Sequence, residues 1–429
     1  MKNTLKNFVV GVLEWEAKRV IKRYQPKIVA VVGSVGKTST KDAIATALSL
    51  SHKVGKSKKS YNSEFGVPLA ILGAESGGNN IFKWSHILFD GFLLGFFDHE
   101  YPEILVLEVG ADRPGDILRT VGWIKTDVVV ATVYGDVPVH IEYFNSKEDL
   151  VHEDREILKT LRSDGILVVN ADDADSLSFV EEWQGDSKKI SLKQGDVTGS
   201  QYTVELDEEG FPKGFTVTVN TGDSHVPVML RGVLGEQHVY PLLAATSVAS
   251  VFTMDIPMML GALGRHETPK GRMKIIEGVK HTCIIDDTYN ASPTAVTAAL
   301  LTLRDLKAPG RKIAVLGDMM ELGQYSVEQH KKIGRLTASV CDVLVTAGVR
   351  SMTLANEALE AGMKTSSVTH TEDSYKAGEH IKKILKKGDI VLVKGSQSVR
   401  MERVVEAIML KPDKKTHLLV RQGGEWEGT

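Results

Sequence analysis

The stretch Lys27-Ile28-Val29-Ala30-Val31-Val32-Gly33-Ser34-Val35-Gly36-Lys37-Thr38-Ser39 decides the fold. After its leading lysine the first part is apolar and β-branched, the pattern of a buried strand, and the alanine-rich run 41–50 that follows is helical. Between them, glycines let backbone N–H groups approach an anion, the helix start favours negative charge, Lys37 adds a cation and Thr38 a hydroxyl for Mg2+. Strand, loop and helix in this order predict a nucleoside triphosphate site made by Gly33, Ser34, Gly36, Lys37, Thr38 and Ser39. The longer Walker form would carry glycine at 31, where this chain has Val31. A phosphate loop does not by itself name a reaction.

Working outward, buried-strand runs recur at 104–108, 127–132 and 165–170 with helical patterns between them, which predicts a mainly parallel sheet covered by helices. Over 201–230 the pattern changes to alternation (YTVEL, FTVTV, VPVML) with glycine turns, an antiparallel ribbon. Pro and Gly in ETPKG, residues 267–271, mark a boundary. Beyond it, strands at 282–285, 312–316, 343–346 and 389–393 alternate with helices. The expected class is α/β: an N-terminal helix over 1–25, a phosphate-loop central domain over 26–268 with a mainly parallel sheet plus antiparallel ribbon, and a Rossmann-like C-terminal α/β domain over 269–429. The polar tail after Lys411 reads as loosely held.

The 429 residues are 42% hydrophobic and 25% charged, an ordinary globular composition. Fifty-two basic against 55 acidic side chains, a formal charge of -3, argue against a general nucleic-acid binder. Cys283 and Cys341 lack the paired spacing of a zinc site or disulfide framework and read as core thiols in a reducing cytoplasm. Apolar residues 8–13 are cut short by Glu14, Glu16 and Lys18, giving a surface helix rather than a secretory or membrane segment. Residues 81–97 (IFKWSHILFDGFLLGFF) are apolar and aromatic but broken by Lys83, His86 and Asp90. They read as a helix packed on the domain, with a membrane-surface or subunit contact as the alternative.

Further motifs follow the loop in order: Tyr61-Asn62-Ser63-Glu64-Phe65-Gly66-Val67-Pro68, then Leu107-Glu108-Val109-Gly110-Ala111, His140 in VPVHIEYF, and Gly271-Arg272. Next come Asp286-Asp287-Thr288-Tyr289-Asn290-Ala291-Ser292-Pro293, Gly317-Asp318-Met319-Met320-Glu321-Leu322-Gly323, His330, and Lys394-Gly395-Ser396. Together they resemble the Mur ligase superfamily over residues 26–410, and are most similar to its muramoyl-tripeptide D-alanyl-D-alanine ligase branch. The resemblance implies ATP and Mg2+ as cofactors and an acceptor carboxylate activated as an acyl phosphate. An amine, an amino acid or a dipeptide such as D-alanyl-D-alanine, then attacks it in cell-wall peptide synthesis. The acceptor would be a small-molecule or peptide-linked carboxylate, and no nucleic acid is involved. By the same resemblance Thr38 and Glu108 hold one Mg2+ and His140 a second. Arg272 reaches the phosphates, Asp287 and Asn290 the nucleotide, and Asn62 and Lys394 the substrates, with Lys394 facing the cleft between domains. Lys37, Glu108, His140 and Asp154 form the catalytic set.

Three departures from the family pattern stand out. The branch carries about a hundred residues ahead of the phosphate loop, a small domain that holds the UDP-sugar, and this chain has only residues 1–25 there. A lipid-linked or otherwise non-standard acceptor, or a non-catalytic ATP-binding regulatory subunit, therefore stand beside the standard acceptor as alternatives. The family's adenine-gripping Gly-x-His-Asn-x-x-Asn reads Gly235-Glu236-Gln237-His238-Val239-Tyr240-Pro241, with His238 in place of the first Asn, and an imidazole can stack on a base. Asp154 stands where the family has a lysine that becomes carbamylated and helps hold the second Mg2+. Leu150, Val151, Ile157, Leu158 and Leu161 share a helical face on which Asp154 is the only charge. An inward carboxylate needs a partner, Arg155 or another basic side chain, and Asp154 is expected to supply negative charge without carbamylation.

Overall fold

The computed structural model describes residues 2–57, 64–78, 80–138, 140–264, 268–423 and 426, so Asn62 and Glu267 lie outside the described residues. Among those described, one sheet has nine strands in the order β2 (Val54–Lys56), β3 (Ile104–Glu108), β1 (Lys27–Val32), β4 (Thr126–Ala131), β5 (Leu161–Asn170), β6 (Ser187–Ser191), β7 (Val197–Leu206), β8 (Pro212–Thr221) and β9 (Ser224–Arg231). Pairing is parallel from β2 through β7, and antiparallel for β7 with β8 and β8 with β9. The ribbon thus extends the main sheet rather than forming a separate layer.

Alternation along β1 explains the layering. Val29 and Val31 point into one core with Ile44 and Leu48 of helix α2 (Lys37–Leu48), while Ile28, Ala30 and Val32 point into another with Ala17 and Val20 of helix α1 (Lys2–Tyr24). A strand buried on both faces needs no polar side, which is why KIVAVV reads as continuous apolar sequence. Helix α3 (Gly66–Ile71) and helix α4 (Ile81–Phe96) pack against α1. Close approach of α1 and α4 depends on Gly91: a Cβ there would meet Glu16 Oε2 at 2.3 Å. Glu16 is buried on folding, and burial pushes its carboxyl up to about 7.

The second sheet has six strands among the described residues, in the order β10 (Lys274–Gly278), β11 (Thr282–Asp287), β15 (Ile390–Lys394), β12 (Lys312–Gly317), β13 (Val343–Ala347) and β14 (Val368–Thr371). All pair in parallel except β10 with β11. A continuous apolar core runs from Val128 and Leu242 of the first sheet's layers to Ile285, Leu316 and Val296 of the second. The described part of the tail, 412–423 and 426, departs from the sequence reading: it is held. Leu419 is buried, and Arg421 donates to the carbonyls of Thr288 and Tyr289 and pairs with buried Glu402 at 2.7 Å. Its polar composition conceals one arginine whose guanidinium makes four hydrogen bonds. Cys283 and Cys341 are free thiols, pushed up to about 12 by burial. Among the described residues no helix is long and apolar enough to cross a membrane.

Candidate active site

The phosphate loop leaves β1 and bends through two left-handed glycines, Gly33 at φ 126° and Gly36 at φ 91°. Gly33 also needs the space: a Cβ would lie 2.2 Å from Thr132 Oγ1 at the end of β4. Ser34 and Val35 amides donate to Val133, tying the loop to the neighbouring strand. Gly36 caps α2 with no side-chain hydrogen bond, so the positive end of the helix dipole faces the loop, where an anion is favoured. Lys37 Nζ folds back onto the Gly33 carbonyl.

Thr38 Oγ1 donates to Glu108 Oε1 at 3.1 Å, so the hydroxyl and the carboxylate at the end of β3 meet as expected. Glu108 is buried and its Oε2 has no hydrogen-bond partner; the nearest cation is Lys41 Nζ at 3.7 Å. An orphaned carboxylate oxygen beside a hydroxyl fits a hard cation that takes oxygen ligands. His140, in a left-handed turn at φ 67°, sets Nδ1 3.1 Å from Glu321 Oε2 and Nε2 3.6 Å from Asp112 Oδ1. Its hydrogen bond holds the Glu321 carboxyl below the usual carboxylate range. Nδ1 is engaged by Glu321, while Asp112 stands beyond hydrogen-bond distance of Nε2, the nitrogen through which His140 would bind a metal. Among the described residues no three His, Cys, Asp or Glu side chains are grouped to hold a metal ion by themselves.

Asp154 is buried, but the expected helical stripe is cut short: the helix ends at Arg155, Ile157 and Leu158 lie in a 3-10 turn, Leu161 opens β5, and Glu153 is buried beside it. Nor is Arg155 its partner: that guanidinium pairs with Glu182 at 2.6 Å. Asp154 Oδ2 instead accepts from the fully buried Tyr134 hydroxyl at 3.0 Å. Burial pushes its carboxyl up to about 6 against the Lys37 charge, the Tyr134 bond and the Gly33 amide. A neutral donor can satisfy an inward carboxylate, and sequence spacing could not point to a tyrosine 20 residues earlier.

Two cavities open on opposite sides of the loop. One, of about 420 Å³, is walled by apolar groups such as Ile190, Leu192, Val204 and Leu301, with Asn170 and His238 among its polar ones. Burial pushes His238 down to about 4, which leaves a neutral ring at this wall. The other, of about 540 Å³, holds Lys37, Thr38, Glu108, His140 and, from the second sheet's loops, Asn290 and Ser396. Arg272 borders both, stacked 4.0 Å from the Tyr289 ring centroid. Asp287 and Lys394 meet at the ends of β11 and β15, 2.6 Å apart and buried. Lys394 lines the apolar cavity, yet its amine is committed to Asp287 and the Asn290 carbonyl rather than presented to a substrate. Burial lowers its affinity for the proton while Asp287 opposes the shift.

The family model of the Mur ligase middle domain matches residues 85–249, and that of the Mur ligase, glutamate ligase domain matches 271–397, together well over half of the chain. The chain belongs to the Mur ligase family. It is 26% identical over 404 residues to the UDP-N-acetylmuramoyl-tripeptide--D-alanyl-D-alanine ligase of Bacillus subtilis, covering 93% of this chain and 79% of that one. The Escherichia coli enzyme of the same name is 26% identical, at 89% and 76% coverage. Among solved structures, the MurF ligase of Thermotoga maritima in complex with ADP superposes with a TM-score of 0.76 at 27% identity, over 95% of this chain and 84% of that one. The folylpolyglutamate synthase of Mycobacterium tuberculosis shares the fold alone, at a TM-score of 0.64 and 12% identity.

Within this Mur ligase frame, the structure brings Lys37, Thr38, Glu108, His140, Arg272 and Asn290 to one polar cavity, and His238, Asp287 and Lys394 to the other. Ser39 is at the apolar wall with Gly36. Asp154 lies beneath the loop. Asp112, Glu321, Tyr134 and Trp426 were not singled out from sequence as site residues. Glu321 sits inside the motif Gly317–Gly323, so its position carried a signal; Trp426, in the tail, carried none, yet it lines the polar cavity.

Proposed function

We propose that this chain is an ATP-dependent carboxylate-amine ligase. The observation that supports this most directly is the phosphate loop standing between an apolar cavity suited to a base and a polar one suited to phosphates and a second anion. Nucleotide in the apolar side would present its terminal phosphate past Gly36 to Lys37 and the amino end of α2. The acceptor carboxylate attacks phosphorus, the bond to ADP breaks, and an acyl phosphate forms; an amine then attacks the acyl carbon and phosphate leaves. Lys37 and Arg272 offset the negative charge that two anions bring together. Mg2+ would be held by Thr38 and Glu108, and a second ion by His140 with phosphate oxygens and water, neutralising phosphate charge. Closure of the walls from both sheets around bound substrates would exclude water and protect an acyl phosphate from hydrolysis.

We further infer a muramoyl-peptide or related acceptor and D-alanyl-D-alanine or a similar amine, by likeness to the relatives so named, in cytoplasmic cell-wall peptide synthesis. The experiment is phosphate release from ATP with acceptor and amine supplied singly and together. Release that needs both identifies the ligase. ATP binding without release under any pairing would make the chain a regulatory subunit instead.

A further inference from the structure

Helices α1 and α4 lie side by side, with Leu13, Ala17 and Val20 of one and Ile87 and Gly91 of the other turned inward. Their outward faces are not polar. Phe82, Phe89 and Phe92 on α4 are 84%, 59% and 41% exposed, and Phe8 and Trp15 on α1 are 65% and 50% exposed. On a helix of 3.6 residues per turn, 82, 89, 92 and 96 share one stripe, as do 8, 15, 19 and 22. The stripes join into one surface: Phe96 stacks with Phe92 at 4.4 Å between centroids and meets Trp15 at 6.1 Å. Two aligned stripes, each about 20 Å long at 1.5 Å per residue, make an apolar plateau rather than scattered exposed residues.

Charge selects the occupant. The two helices carry seven basic side chains against three acidic ones, in a chain whose formal charge is -3. One of the three acids, Glu16, is buried beneath α4. Arg19 lies over the Phe96 ring at 3.6 Å, Lys22 and Lys18, the latter paired with Glu14 at 2.5 Å, flank the same end, where Arg23 pairs with Asp98, and Lys83 stands at the other. A second copy docked by a two-fold axis would set these cations against their own kind, whichever way the helices ran. An anionic lipid surface meets both features at once: headgroups take the cations, and Phe and Trp rings suit the boundary between headgroups and acyl chains.

We propose that the α1–α4 face docks this protein onto an anionic bilayer surface, lying in the plane of the interface. Tyr24 stacks on Tyr101 just ahead of β3, and Lys6 pairs with Glu64. The helices therefore enter the sheet at its amino edge and rise toward the carboxyl edge that bears the phosphate loop. If the ligase reading above holds, an acceptor carried in the membrane can approach the polar cavity from this side.

The test is sedimentation of the full chain with vesicles of phosphatidylcholine, with and without about a third phosphatidylglycerol, at low and high salt. Binding is expected to the anionic vesicles, weakened by salt, and about tenfold weaker for Phe89→Ser/Phe92→Ser. Lys18→Glu/Lys22→Glu should lose the gain from anionic lipid alone. These side chains are exposed, so circular dichroism and melting should match the parent, which separates lost docking from misfolding. Failure to sediment with anionic vesicles, or equal sedimentation of the phenylalanine variant, overturns the proposal. So does a concentration-dependent dimer abolished by the same variant, which would assign the face to a second copy. ATP turnover measured without vesicles reports on the ligase reading independently.

Discussion

Lys37 turns its amine onto a carbonyl of its own loop, an arrangement that a phosphate would replace with a stronger, charge-assisted contact. Lys37→Ala should therefore lower ATP turnover at least about a hundredfold while leaving the melting temperature unchanged, since the side chain packs no core. Steady-state kinetics beside a thermal scan check both halves. Asp154 makes a different demand. With its carboxyl pushed up to about 6, it takes a proton as pH falls through that value, and the negative charge beside Lys37 disappears. Turnover should decline as pH drops below about 6, and Asp154→Asn should flatten that limb. With Oδ2 already occupied by Tyr134, the substitution should leave the Mg2+ titration unmoved; a shifted Mg2+ midpoint would return Asp154 to the metal. At this scale the phosphate loop was legible because its chemistry depends on neighbours in sequence, and Glu108 because it ends an apolar strand inside a motif. Tyr134 and Glu321 were not, because each acts on a partner that only the fold supplies.

Elements were legible wherever a strand is buried on both faces or strictly alternates, as in β1, β3 and the β7–β9 ribbon. Short or half-covered strands escaped: β2 has three residues, and β6 reads SKKIS, where two lysines mask a strand that pairs on both sides. The tail misled for a related reason, since composition cannot show that Arg421 finds Glu402 and two carbonyls. Removing that guanidinium leaves a buried carboxylate with Arg400 as its remaining ion-pair partner, so Arg421→Ala should cost about 2–3 kcal/mol in urea unfolding. It should also raise the KM for ATP, because Thr288 and Tyr289 belong to the loop after Asp287. The α1–α4 contact yields an opposite case. Glu16 binds its proton more tightly folded than unfolded, so stability falls as pH rises from about 4.5 to about 7, and the penalty persists above. Glu16→Gln should raise stability at pH 8 on the order of 2 kcal/mol and abolish that slope, as unfolding curves at pH 5 and pH 8 would reveal.

Among the described residues the two halves touch through polar contacts such as His140 with Glu321, and through a tight steric fit: a Cβ on Gly135 would lie 2.0 Å from Thr294 Oγ1. Glu321→Gln should weaken this latch and enlarge the radius of gyration of the ligand-free protein in X-ray scattering, with ATP and acceptor restoring the compact form. An unchanged profile for the variant would mean that the apolar core alone holds the halves together. The partition that the phosphate loop makes between two cavities bears also on how the protein could be inhibited. A compound occupying the apolar side leaves the opposite side vacant, so two unlike inhibitors can reside together and neither abolishes the affinity of the other. Joined past Gly36, where an added Cβ would meet nothing within 4 Å, they form a single bivalent molecule whose residence outlasts that of either fragment.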